Sequence, residues 1–148
     1  MIFRIGMSAL LIASGAMAAE KETSSAVDIQ KHNTSIGNAI GQVNNVEQLV
    51  AAFHQRNNAF PSSNAEAGVK PGGALASPDV KSIDVTGNGV IVATLTGNSG
   101  IDGGQLVFTP KNSDNPDAGV IRWVCTSPSY STIADATGGT CEYSKLPP

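Results

Sequence analysis

The stretch Val120-Ile121-Arg122-Trp123-Val124-Cys125, with the loop after it closed by Cys141, decides the fold. Ile121, Trp123 and Cys125 fall on one side of an extended chain, and Val120, Arg122 and Val124 on the other. This is the two-residue period of a strand. The same alternation recurs upstream. Residues 105–109 put Leu106 and Phe108 on one face. Residues 90–96 set Ile91, Ala93 and Leu95 against Val90, Val92 and Thr94, and residues 80–85 read as a further strand. Thr86-Gly87-Asn88-Gly89 supplies a tight turn, residues 97–104 a glycine-rich one, and residues 112–119 a polar one. Strands in this order with short connections predict a four-stranded antiparallel sheet over about 80–125.

Before the sheet the period changes. Ile29, Ile36, Ile40, Val43, Val46 or Glu47, Val50 and Phe53 recur at helical spacings. They predict a helix over about 25–57, capped by Ser24 or Ser25. Asn57-Asn58 and Phe60 end it, since the residue before Pro61 is pushed out of the helical region. Gly37 and Gly41 lie inside, each costing about 1 kcal/mol relative to alanine. They admit a close backbone or mark a weak, bent stretch; the polar flanks favour the second. Residues 61–79 carry Ser, Asn, Ala, Gly and Pro without period and read as an ordered crossover loop. One helix followed by such a sheet is an α+β arrangement, the helix covering one sheet face.

At 148 residues the chain fits one domain. Its formal charge is −3, and more negative once Arg4 is lost with a leader. That excludes a nucleic-acid binder relying on a basic patch, and no polybasic run suggests a membrane surface. Arg4, an apolar run from Ile5 to Met17 and Ala16-Met17-Ala18 form a secretory signal pattern over 1–18, leaving 19–148 as the exported domain. The run is short of the roughly 20 apolar residues that span a bilayer; a retained short anchor is the alternative. Without a cysteine after the run, a lipoprotein is excluded. Export to an oxidising compartment predicts a disulfide between Cys125 and Cys141, the two cysteines of the chain.

No catalytic constellation emerges. His32 and His54 have no ligand-spaced partners and are expected to face solvent. No serine sits in a nucleophile elbow, no pair of acids reads as a general acid and base, and residues 100–104 lack the lysine and helix of a phosphate loop. Neither a metal nor a cofactor is expected. Asn112 to Asp117 collects oxygen ligands that suit calcium, but Asn, Asp and Pro are also ordinary turn residues. Trp123 is expected to pack beside the disulfide. The candidate binding surface is Thr126, Ser127, Pro128, Ser129, Tyr130 and Tyr143. Tyr130 is either an exposed contact or a cover for a small cluster with Ile133.

From about Val43 to Cys141 the chain resembles the type IV pilin family. Val50-Ala51-Ala52-Phe53, with Asn57-Asn58-Ala59-Phe60-Pro61, is similar to the end of the long pilin helix and its exit. Ser63-Asn64-Ala65-Glu66-Ala67-Gly68 resembles the polar stretch that follows. Residues 89–95, 104–110 and 121–125 resemble the second, third and fourth pilin strands, the last ending at the first disulfide cysteine. The resemblance implies an αβ-roll, with residues 61–79 as the αβ-loop and 125–141 as the disulfide-bounded D-region. It also implies a structural or adhesive role, with other pilins, pilus assembly components or a surface receptor as partners, at the cell surface, in the periplasm or outside the cell. The start departs from the family. Gly6-Met7 imitates the leader junction, but the fifth residue beyond Gly6 is Leu11 rather than Glu, and Glu20-Lys21-Glu22 interrupts the apolar run. The expectation is therefore a pilin-like domain exported free of the membrane. The alternative is an exported binding module that reuses the fold for a protein or glycan outside any fibre.

Overall fold

The computed structural model describes residues 16–112 and 120–145, with side chains from residue 25 onward. The signal segment therefore lies outside the described residues except for residues 16–18. The proposed calcium turn lies outside them beyond Asn112.

The chain divides into two units, Met1–Gln30 and Lys31–Pro148. Helix α1 (Ala16–Asn57) opens in the first. It starts well before the predicted residue 25, so Ser24 and Ser25 fall inside the helix rather than at its start. Ala18, Ala19, Glu20 and Lys21 are strong helix formers, and extending a helix is easier than nucleating one. Ile29, counted in the apolar stripe, is 56% exposed. Helical spacing assigns a residue to a face but does not supply something to cover it.

In the second unit the buried stripe of α1 is Ile36, Ala39, Val43, Val46 and Val50. Gly37 and Gly41 are exposed, and an added Cβ at either would meet nothing within 4 Å. The helix ends as the pre-proline rule requires. Asn58 takes a left-handed conformation (φ 52°), its N–H donates to His54 O at 2.8 Å, and Asn57 Nδ2 donates to Phe53 O.

The strands are β1 (Val80–Val85), β2 (Ile91–Leu95), β3 (Gln105–Asn112), β4 (Ile121–Ser127) and β5 (Cys141–Tyr143). Their order in the sheet is sequential. The first four run antiparallel, with Ile91 opposite Phe108 and Phe108 opposite Cys125. The predicted sheet of four strands is corrected to five, because β5 joins parallel to β4. A three-residue strand shows no alternation to read. Ile91, Ala93, Leu95 and Leu106 are fully buried and Phe108 nearly so, in one cluster with the helix stripe. Burying each large aliphatic side chain contributes roughly 1.5–3 kcal/mol. Trp123 is partly buried against the same cluster.

The crossover over 61–79 carries a short helix α2 (Asn64–Ala67) and a 3-10 turn, Gly72–Leu75. Ser63 Oγ accepts from Glu66 N, and Glu66 Oε2 accepts from Ser62 N at 2.7 Å and Ser62 Oγ at 2.9 Å. Ser63-x-x-Glu66 is a capping-box spacing, here closed one residue earlier than usual. Asn64 fastens the loop to the edge of β1. Its Nδ2 donates to Lys70 O at 2.8 Å and Ile83 O at 3.0 Å, and its Oδ1 accepts from Val85 N. One side chain thus occupies main-chain groups that an edge strand would otherwise leave open. The helix reaches the loop through Asn38 Nδ2 to Asp79 Oδ2 and through Ser77 Oγ, which donates to Gln42 Oε1, each at 2.8 Å.

Candidate functional site

Cys125 and Cys141 are register partners in the parallel β4–β5 pair, with Cα atoms 4.5 Å apart, and they are disulfide-bonded. The bond is buried, at 6% and 0% exposure for its two residues. The excursion between them leaves β4 at Ser127, turns through Pro128 and Ser129, and forms α3 (Ile133–Thr137). Gly138 ends α3 at φ 60°, a conformation that favours glycine. Ile133 is fully buried and anchors the excursion in the core. Thr137 Oγ1 donates to Ile133 O at 2.7 Å and accepts from Cys141 N at 3.0 Å, so the return strand is held where α3 stops.

The predicted contact residues separate into two groups. Ser127 is completely buried. Its hydroxyl donates to Gln105 O at 2.6 Å and accepts from Ser129 N and Tyr130 N at 3.2 and 3.1 Å. Tyr130 is also buried, so of its two predicted readings the inward one holds. Its hydroxyl lies 2.5 Å from Ser99 Oγ and 3.3 Å from Ile101 O. Its ring rests where Gly104 has no side chain; a Cβ there would overlap it. Burial pushes the phenol above its ordinary range, partly offset by the Ser99 hydrogen bond. Ser127 and Tyr130 are therefore corrected from contact residues to the internal frame of the loop. Pro128 and Tyr143 are exposed, and Thr126 and Ser129 are half-buried.

A groove of about 450 Å³ opens beside this surface on the sheet face away from α1. Val92 and Val107, register partners on β2 and β3, form its floor, with Thr126 next on β4. Asn88, Pro128 and Lys145 also line it. Such a volume suits a small ligand or a side-chain cluster of another protein.

The two histidines are corrected from solvent-facing to half-buried. His54 stacks on Phe60 with ring centroids 4.2 Å apart. His32 sits against Gly100, where an added Cβ would come within 2.9 Å of Nδ1. Among the described residues no group of three His, Cys, Asp or Glu side chains is placed to hold a metal ion. No helix among them is long and apolar enough to cross a membrane.

Sequence reasoning missed Asn64 and Ser99. The Ser63-x-x-Glu66 spacing was a readable signal for the first. Ser99 had none, since its partner lies 31 positions away.

A helix stripe on one face of a sequentially ordered sheet, with the last strand joined by a disulfide, defines an αβ-roll closed at its C-terminal end. A scan against protein families matches residues 34–141 to the family described as Pilin (bacterial filament). The match covers more than half of the chain, and the chain belongs to that family. A search of curated proteins finds no match. The family is structural rather than enzymatic, and its members act with other pilins or pilus components.

Proposed function

We propose that this chain is a pilin-like structural or adhesive protein of a bacterial type IV pilus system, exported as a pilin-like domain free of the membrane by a cleaved leader over 1–18. The observation that carries the reading is the family match over residues 34–141, which takes in the helix, sheet and disulfide-closed end together. Contact with a partner is made through Pro128 and Tyr143, with the accessible parts of Thr126 and Ser129. These residues share one edge, and a rigid, disulfide-anchored frame holds them in place with little ordering left to do on binding. The partner is another pilin, an assembly component or a surface receptor. Hydroxyls, backbone and an aromatic ring meet it rather than a charge run.

A second reading is favoured by the groove floored by Val92 and Val107: an exported module that binds a protein or glycan outside any fibre. Glu20-Lys21-Glu22 supports it, because three charges in a helix bundle are costly without partners. The intact mass of the mature protein tests both. A mature chain beginning at Ala19 supports export free of the membrane. One beginning at Met7 overturns that and makes the chain a membrane-inserted filament subunit.

A further inference from the structure

Asn88, in the turn between β1 and β2, is the one asparagine of the chain that is followed by glycine. Such a pair carries its own chemistry. The glycine nitrogen attacks the asparagine Cγ, an N–C bond forms, and ammonia leaves with the proton the nitrogen gave up. Water then opens the resulting succinimide ring, to aspartate or to isoaspartate, whose main chain runs through the former side-chain carbon. Nothing is oxidised or reduced, and water is the one co-reactant. Glycine suits the step because it has no side chain to crowd the attacking nitrogen, and asparagine is among the thermolabile residues.

The fold exposes the asparagine and sequesters its attacker. Asn88 is exposed and left-handed, at φ 60° and ψ 27°. Gly89, at φ 72°, is buried. Two left-handed residues in succession suit a tight hairpin turn. The Gly89 N–H donates to Pro61 O at 2.8 Å. An added Cβ on Gly89 would come within 2.9 Å of the Phe60 ring, and that ring stacks on His54. The end of α1, the start of the crossover loop and the turn therefore meet at Gly89.

This contact opposes the reaction at each stage. The nitrogen must lose its proton, which Pro61 O holds. It must also move away from the Phe60 ring. Finally the peptide must swing round, because ψ near 27° puts the Gly89 nitrogen on the far side of the Cα–C bond from the Asn88 Cβ. All three changes require Phe60-Pro61 to lift off the turn, a local opening of the kind native proteins undergo without unfolding.

We propose that Asn88 is a self-modification site, held dormant by the docking of Phe60-Pro61 on Gly89 and released when that contact opens. The proposal is independent of whether the chain enters a fibre. Its product matters for the groove, which Asn88 lines. Lys145 is the one charged residue among the described residues lining it, so conversion adds a carboxylate to a site that otherwise carries a single cation. The isoaspartyl form also adds an atom to the main chain of the turn.

The test holds the full chain, disulfide intact, in mildly alkaline buffer, native and in strong urea, and follows Asn88 by mass spectrometry of the peptide that carries it. In urea Asn88 is expected to convert ahead of the other asparagines, and in the native protein at least about tenfold more slowly at the same pH. Another asparagine converting first in urea overturns the site. Equal rates in the two states overturn its protection. Phe60→Ala is expected to raise the native rate severalfold, and a folded variant that keeps the wild-type rate overturns the role of the docked ring. Where that variant fails to fold, the Gly89 amide of the wild type decides. Across urea concentrations below the unfolding transition, conversion at Asn88 and hydrogen exchange at Gly89 are expected to rise in the same proportion. Conversion that stays constant while exchange rises overturns the gate.

Discussion

The hydroxyls of Tyr130 and Ser99 lie 2.5 Å apart in the buried space where the disulfide loop meets the turn between β2 and β3. Ser99 Oγ also donates to Thr96 O at 2.7 Å, so it presents a lone pair to the phenol, which donates its proton to it. Two segments distant in sequence are thus locked by one shared hydrogen bond, set over Gly104.

Tyr130→Phe keeps the ring and removes the hydroxyl, leaving Ser99 with one partner fewer. The expected loss is roughly 1–2 kcal/mol in urea unfolding. A wild-type midpoint would show that the bond contributes nothing.

The same tyrosine predicts a pH response. Its folded pKa is raised above the unfolded value near 10. Its contribution is therefore fully present below that value and is lost as pH rises through the folded pKa. Melting temperature followed from pH 8 to 11 should fall more steeply for wild type than for Tyr130→Phe. Parallel curves would contradict this.

Reducing the disulfide, or replacing Cys125 and Cys141 by serine, should destabilise the domain by about 3 kcal/mol, the value expected for closing a loop of this size. Thermal melts with and without reductant measure it. No change would mean that β5 is held without the bond.

Asn64→Ala removes three hydrogen bonds to main-chain groups of the crossover loop and β1. A loss of about 2–3 kcal/mol is expected. Hydrogen exchange at the Val85 amide should also accelerate, a local effect that a general loss of packing would not single out.

Glu47→Gln should stabilise the isolated domain by a few tenths of a kcal/mol at neutral pH, because a half-buried carboxylate without a partner among the described residues is replaced by a neutral group. The raised folded pKa means that the carboxyl favours the fold below its unfolded pKa and ceases to as pH rises through the folded one. The difference between variant and wild type should therefore vanish near pH 4. A destabilised variant at pH 7 would indicate an unseen partner within the chain.

The sheet was legible because alternation is local: Ile91, Ala93 and Leu95, or Leu106 and Phe108, declare their face without help from distant residues. The end of α1 was legible for the same reason, since Phe60-Pro61 acts on its own backbone. What stayed hidden depends on partners. Ile29 fits the stripe yet stays exposed. Ala39, fully buried, is too small to stand out in a search for large apolar residues. Tyr130 turns inward because Gly104 leaves room for its ring, and β5 exists because β4 and the disulfide hold it. Within the proposed contact surface, the burial of Ser127 and Tyr130 and the exposure of Pro128 and Tyr143 were not legible, because they depend on neighbours distant in sequence.

The position of the disulfide also determines how the domain carries a mechanical load. Tension applied beyond β5 enters Cys141 and crosses the sulfur bridge directly into Cys125, in a strand already zipped along β3. The excursion between the cysteines is bypassed, which withholds about 50 Å of contour length from extension. Its short helix and exposed prolyl turn can therefore loosen without lengthening the path between β4 and whatever pulls beyond β5.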